Sequence, residues 1–120
     1  MAGTVKLKAG DTNTVTIIID DQNGDPVDIT GNSVVFCVKR SEFDDDDDAV
    51  YITEITSHSD PTNGTTAKEI DAVTSWQWEA GEYKWQVQLR DGDIILSTDK
   101  GDCVIEKNMI EPATTTTTTA

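Results

Sequence analysis

Glu82-Tyr83-Lys84-Trp85-Gln86-Val87-Gln88-Leu89-Arg90 alternates without exception, with Tyr83, Trp85, Val87 and Leu89 on one side and Lys84, Gln86, Gln88 and Arg90 on the other. Period-two alternation predicts a strand with one buried face, and a buried face requires a second layer to cover it. Working outward, residues 14–20 place Val15, Ile17 and Ile19 together, opposite Thr14, Thr16 and Asp20. Ile18 is the one apolar intruder there and a candidate for a second packed surface. Residues 33–40 put Val34, Phe36 and Val38 on one face and Val35 and Cys37 on the other, which predicts a central strand covered from both sides. Weaker strand patterns at 5–8, 49–56, 65–70, 94–98 and 102–107 bring the expectation to seven or eight strands.

The punctuation between these segments is turn chemistry: Asn23-Gly24-Asp25-Pro26, Asp60-Pro61-Thr62-Asn63-Gly64 and Asp91-Gly92-Asp93. Only residues 71–78 suggest a helical turn, a short connector ahead of Ala80-Gly81. Composition agrees, since the chain carries 11 Ile, 10 Val and 18 Thr but only 3 Leu, and β-branched side chains suit a pleated surface. The expected fold is all-β, an immunoglobulin-like antiparallel β-sandwich of 7–8 strands occupying residues 1–110, with an extended threonine-rich arm over 111–120. The arm contains Thr114, Thr115, Thr116, Thr117, Thr118 and Thr119. Such a run has strand-compatible backbone preferences and nothing large to bury, so it reads either as a mobile tail or as a strand added to a neighbour's sheet edge.

Charge excludes several functions. With 23 Asp plus Glu against 9 Lys plus Arg in 120 residues, the net charge is -14, and no clustered bases remain to follow a phosphate backbone; nucleic acid is not an expected partner. No apolar run approaches the roughly 18 residues of a membrane span. The opening Met1-Ala2-Gly3-Thr4-Val5-Lys6 does not have the form of the usual secretory signal.

The candidates for chemistry are few. Asp44, Asp45, Asp46, Asp47 and Asp48 are five adjacent carboxylates, read as a solvated loop, with calcium as the functional alternative although the ligand spacing of an EF-hand is absent. The sole histidine, His58, reads as a solvated loop residue. Cys37 and Cys103 are too few and too far apart for a zinc site. Their expected side chains point to opposite faces, which predicts free thiols. Glu54 and Glu69 are the only acids with a chance of lining a pocket, and nothing in the spacing brings them together. No glycine-rich phosphate loop is present, so no catalytic residue and no cofactor is assigned. Trp85 reads as core; Trp76 and Trp78, on the connector, read as either a cap on the sandwich end or a partner-docking pair able to stack on a sugar or a protein.

Two stretches carry a resemblance. Gly10-Asp11-Thr12, the strand from Val15 and Asn23-Gly24-Asp25-Pro26-Val27-Asp28-Ile29-Thr30-Gly31 lead into the Val34 strand, and Ala80-Gly81-Glu82-Tyr83-Lys84-Trp85 leads into the Asp91-Gly92 hairpin. This order resembles the N-terminal domains of phage baseplate upper proteins over residues 5–107. The resemblance implies an immunoglobulin-like sandwich acting as a non-enzymatic structural adaptor in a tailed-phage virion assembled in the host cytoplasm. Its implied partners are other virion structural proteins, in homo- and hetero-oligomeric assembly, at the baseplate and tail or as a capsid decoration. Docking is expected through sheet edges, through terminal arms at residues 1–8 and 111–120, and through Trp76 and Trp78. The rival expectation is a secreted or surface module binding calcium at Asp44 to Asp48, or carbohydrate at the two tryptophans.

Overall fold

The computed structural model describes residues 4–112. In chain order the strands are β1 (Val5–Ala9), β2 (Asn13–Ile18), β3 (Ser33–Lys39), β4 (Tyr51–Ile55), β5 (Thr65–Ile70), β6 (Gly81–Asp91) and β7 (Ile94–Lys107). A short α-helix, α1 (Ala72–Trp76), precedes β6. Five strands form one sheet in the order β1-β7-β6-β3-β4, while β2 and β5 pair as a second sheet. All neighbours are antiparallel except β1 and β7, which run parallel with Val5 beside Cys103 and Ala9 beside Lys107.

The alternation of β6 decides the packing. Tyr83, Trp85, Val87 and Leu89 are all buried, and the register sets Val38, Phe36 and Val34 of β3 beside Trp85, Val87 and Leu89. The small sheet supplies Val15, Ile17 and Ile70 to the same core. Ile18 points to the solvent side instead of a second packed surface, because the two-stranded sheet has only one covered face. β3 is interior to its sheet, between β4 and β6, as its two-sided apolar pattern predicts; Cys37, on the outer face beside Gln86, is buried. Cys103 lies on the inner face opposite Tyr83, and both thiols are free.

Three expectations are corrected. The separate strands at 94–98 and 102–107 are one continuous β7, because the long β6 offers it a partner throughout, with Gly101 across from Trp85. Residues 5–8 are not a free arm, since they are hydrogen-bonded into the sheet as β1. His58 is not a solvated loop residue. Its ring Nε2 donates to the carbonyl oxygen of Asn32 at 2.7 Å, and its Nδ1 meets the Thr66 hydroxyl at 2.9 Å. A carbonyl only accepts, so the neutral ring carries its hydrogen on Nε2 and Thr66 donates to Nδ1. Thr66 is fully buried on β5, and Asn32 immediately precedes β3, so the imidazole ties one sheet to the other.

The crossover from β4 to β5 depends on one glycine. Gly64 has φ of 69°, and a Cβ there would fall 2.8 Å from the Val27 carbonyl oxygen and closer still to that of Ile19, both backbone atoms. Ile19 N–H donates to the Gly64 carbonyl at 2.9 Å, so neither neighbour can withdraw without losing the bridge.

These contacts generate three stability expectations, each read from the midpoint of urea unfolding. Trp85→Ala should cost about 3–5 kcal/mol, the usual range for emptying a core aromatic site. His58→Ala should cost about 1–3 kcal/mol by removing the ring from a buried hydroxyl and a carbonyl. Gly64→Ala should cost clearly more than Gly24→Ala, because both have positive φ but only the first places a methyl against backbone; equal costs would show the close approach to be unimportant.

Candidate functional site

The acidic run folds over the outer face of the large sheet. Lys39, the last residue of β3, donates from Nζ to the Asp44 carbonyl at 2.9 Å and to Asp46 Oδ1 at 2.8 Å. Ser41 N–H donates to Asp44 Oδ2 at 3.3 Å, and Asp46–Asp48 form a single 3₁₀ turn. The lysine beside it holds the Asp46 carboxyl below the usual carboxylate range, and the same hydrogen bond raises the Lys39 ammonium. Asp45 to Asp48 are exposed, so the run is the solvated loop expected, tied down at Asp44 and Asp46 as a strap. Lys100 and Glu42 approach to 3.6 Å, and Lys84 is paired with Asp102 across β6 and β7. Among Lys39, Glu42, Lys84, Lys100 and Asp102 lies a hollow of about 210 Å³ reaching Cys37, whose thiol is pushed up by burial and so is a poor nucleophile.

The five carboxylates do not converge. Among the described residues, no group of three or more His, Cys, Asp or Glu side chains is arranged to hold a metal ion. Glu54, on the outer face of β4, and Glu69, on the outer face of β5, belong to different sheets and do not form a catalytic pair. Arg40 donates to Glu79 Oε2 at 2.8 Å and lies 5.3 Å from the Tyr83 ring centre, so it too is committed to a surface tie.

The two connector tryptophans have separate fates. Asp71 caps α1 by accepting from Thr74 N–H at 2.7 Å, and the one and a half turns that follow turn Trp78 into the core. Trp78 is 4 % exposed, its ring edge-on to Tyr51 at 5.8 Å. It caps the sandwich and offers no stacking face, which corrects its pairing with Trp76 as a docking platform. Trp76 is half-buried, with the Lys107 ammonium 4.4 Å above its ring. The buried Ser75 hydroxyl accepts from Gly10 N–H at 3.0 Å and donates to the Asp11 carbonyl at 2.8 Å. Asn108 donates from its side chain to Asp11 Oδ1 at 2.7 Å and from its backbone to the Ala9 carbonyl at 2.9 Å. Together these contacts latch the end of β7 to the turn between β1 and β2 and to α1. Thr114 to Thr119 lie outside the described residues.

Exposed apolar side chains cluster at the two ends of β7, while Ile18, Ile52 and Val73 are exposed singly elsewhere. Ile94, Ile95 and Leu96 are exposed at the β6–β7 hairpin, at 63 %, 54 % and 52 %. Met109 and Ile110, just past the latch, are almost fully exposed. Phe43 stands out from the strap. Sequence periodicity did not single these residues out, although an Ile-Ile-Leu run directly after an Asp-Gly-Asp turn breaks the alternation expected of a one-sided strand. No described helix is long and apolar enough to cross a membrane.

Comparison with known proteins agrees with the architecture. The N-terminal domain of phage TP901-1 ORF48 superposes with a TM-score of 0.55 at 22 % identity, covering 88 % of this chain and 86 % of that one, which is a likeness of fold. The soluble domain of PmoD from Methylocystis sp. ATCC 49242 matches with a TM-score of 0.49 at 12 % identity, over 83 % of this chain and 76 % of that one. No curated protein matches. The sequence profile of the BppU N-terminal domain matches residues 1–119, nearly the whole sequence. A match of that extent places the chain in the BppU N-terminal domain family, that of the phage baseplate upper proteins.

Proposed function

We propose that this chain is a non-enzymatic structural component of a tailed-phage virion, an adaptor that docks on neighbouring baseplate or tail proteins through its sheet edges and terminal segments. The observation carrying this reading is the placement of exposed apolar residues. The core is complete without Ile94, Ile95, Leu96, Met109 and Ile110, yet these stand in solvent at opposite ends of one strand. A chain of net charge -14 keeps such groups exposed at a free-energy cost that burial against a partner removes. Membership in a baseplate family supports a tail address over a capsid decoration. The engagement of Lys39, Lys84, Lys100 and Arg40 in ion pairs supports a surface that carries load and contacts instead of catalysis.

Two measurements test the reading. Deleting residues 109–120 should leave a chain with the unfolding midpoint of the parent, because the last strand ends at Lys107, while its incorporation into particles falls sharply; normal incorporation would overturn the docking role of this segment. Calorimetric titration with calcium should give no micromolar isotherm, since Asp46 is already held by Lys39 and its neighbours point apart; a site abolished by replacing the five aspartates with asparagine would favour the calcium-binding rival.

A further inference from the structure

Asn-Gly occurs twice in this chain, at Asn23-Gly24 and at Asn63-Gly64. Glycine leaves its own nitrogen unshielded, so each step is open in principle to attack of that nitrogen on the preceding asparagine amide. Both glycines have positive φ, 82° and 69°. Their surroundings are opposite. Asn23 and Gly24 are exposed at the tip of the turn that brings Asp20 back beside Pro26, and a Cβ on Gly24 would meet nothing within 4 Å. Among the described residues the Asn23 side-chain amide makes no hydrogen bond. Gly24 N–H donates to the Asp21 carbonyl at 3.1 Å, the one bond that nitrogen makes. The turn does not depend on it, because Asp21 Oδ1 separately accepts from Asn23 N–H at 2.8 Å and from Asp25 N–H at 3.0 Å.

Asn63-Gly64 is locked. Asn63 Nδ2, the group that has to leave in such a reaction, donates to Asp60 Oδ2 at 2.9 Å. Gly64 is buried; its N–H donates to the Pro61 carbonyl at 3.1 Å, and its carbonyl accepts from Ile19 N–H at 2.9 Å. Turning the Gly64 nitrogen toward the amide therefore breaks the crossover between β4 and β5. Turning the Gly24 nitrogen costs one exposed hydrogen bond. The first needs opening on the scale of the domain, while for the second a local opening at a loop tip suffices.

We propose that Asn23 is a site of spontaneous covalent modification, converted through a cyclic imide to aspartate and isoaspartate, and that the fold protects Asn63 from the same reaction. Hydroxide removes the Gly24 amide proton, and the nitrogen attacks Asn23 Cγ. The N–Cγ bond forms and the Cγ–Nδ2 bond breaks, Nδ2 leaving as ammonia with a proton from water, which restores the hydroxide. Water then opens the ring at either carbonyl, so the sum is one water consumed and one ammonia released, with no change of oxidation state. The net charge of -14 becomes one unit more negative. Isoaspartate also adds one carbon to the main chain inside the loop closed by Asp20 and Pro26. Asp20, Asp21 and Gln22 of that loop line a hollow of about 420 Å³ together with Leu96 and Ser97, so the product alters one wall at the hairpin end of the sandwich. The inference is independent of the docking reading above.

The test follows each asparagine of the full-length chain by peptide mass spectrometry during days at mildly alkaline pH, with fragmentation that separates isoaspartate from aspartate. The folded chain should lose the Asn23 amide at least roughly tenfold faster than that of Asn63, the factor that about 1.4 kcal/mol of extra opening free energy produces. In guanidinium chloride above the unfolding midpoint the two rates should converge, since both are then bare Asn-Gly steps. Gly24→Ala, with a methyl beside the attacking nitrogen and folding checked by circular dichroism, should slow the reaction at Asn23 several-fold and leave Asn63 unchanged. Equal rates in the folded chain, a gap that survives denaturation, or aspartate formed without isoaspartate, the mark of direct hydrolysis, would each overturn the proposal.

Discussion

The structure depends on a shared dry layer between a five-stranded and a two-stranded sheet, and that layer is organised by one strand. β6 lies against β3 on one side and β7 on the other; its inward Trp85, Val87 and Leu89 sit beside inward residues of β3, and Tyr83 beside Cys103 of β7. Trp85 occupies the centre, with Val38 beside it on β3 and Gly101 across from it on β7. Burying side chains of this size contributes on the order of 1.5–3 kcal/mol each, and a domain of this length has few to spare. The remaining ties, the His58 clasp and the Ser75 latch, hold loops to a frame that the layer has already set.

That division explains why the surface is free for contacts. The polar groups that look chemically promising in isolation are occupied with holding loops down: Lys39 by the aspartate strap, Arg40 by Glu79, Ser75 by the turn at Gly10 and Asp11. The acidic strap is consequently a cover over the outer face of the sheet. Of the large apolar groups left outside, Ile94, Ile95 and Leu96 stand where β7 begins and Met109 and Ile110 just past its end, while Ile18, Phe43, Ile52 and Val73 are scattered singly.

The fold was legible because period-two alternation is a local signal. Residues 65–70 read as a strand and are one, and β6 differs from its reading only by a residue at each end. Contacts between distant residues were not legible. His58 looks like a solvated loop residue because its partners, Asn32 just ahead of β3 and Thr66 on β5, are 26 and 8 positions away. The two segments at 94–98 and 102–107 were read apart because the residues between them do not alternate, whereas β6 pairs with the whole stretch. Trp76 and Trp78 had no legible phase, since α1 ends at Trp76 and the two residues that follow turn Trp78 in another direction. The exposed Ile94, Ile95 and Leu96 were taken for an ordinary strand because alternation predicts burial by pattern, and these follow none.

One pairing bears on how such a domain behaves mechanically. β1 and β7 run parallel, so tension between the start of β1 and the end of β7 draws the two strands along each other. All the cross-strand links from Val5 to Ala9 are then loaded together, in shear, and none is peeled open ahead of the rest. A module linked into a particle through those two points would stretch little under a pull and fail abruptly, which suits a rigid coupling between moving parts.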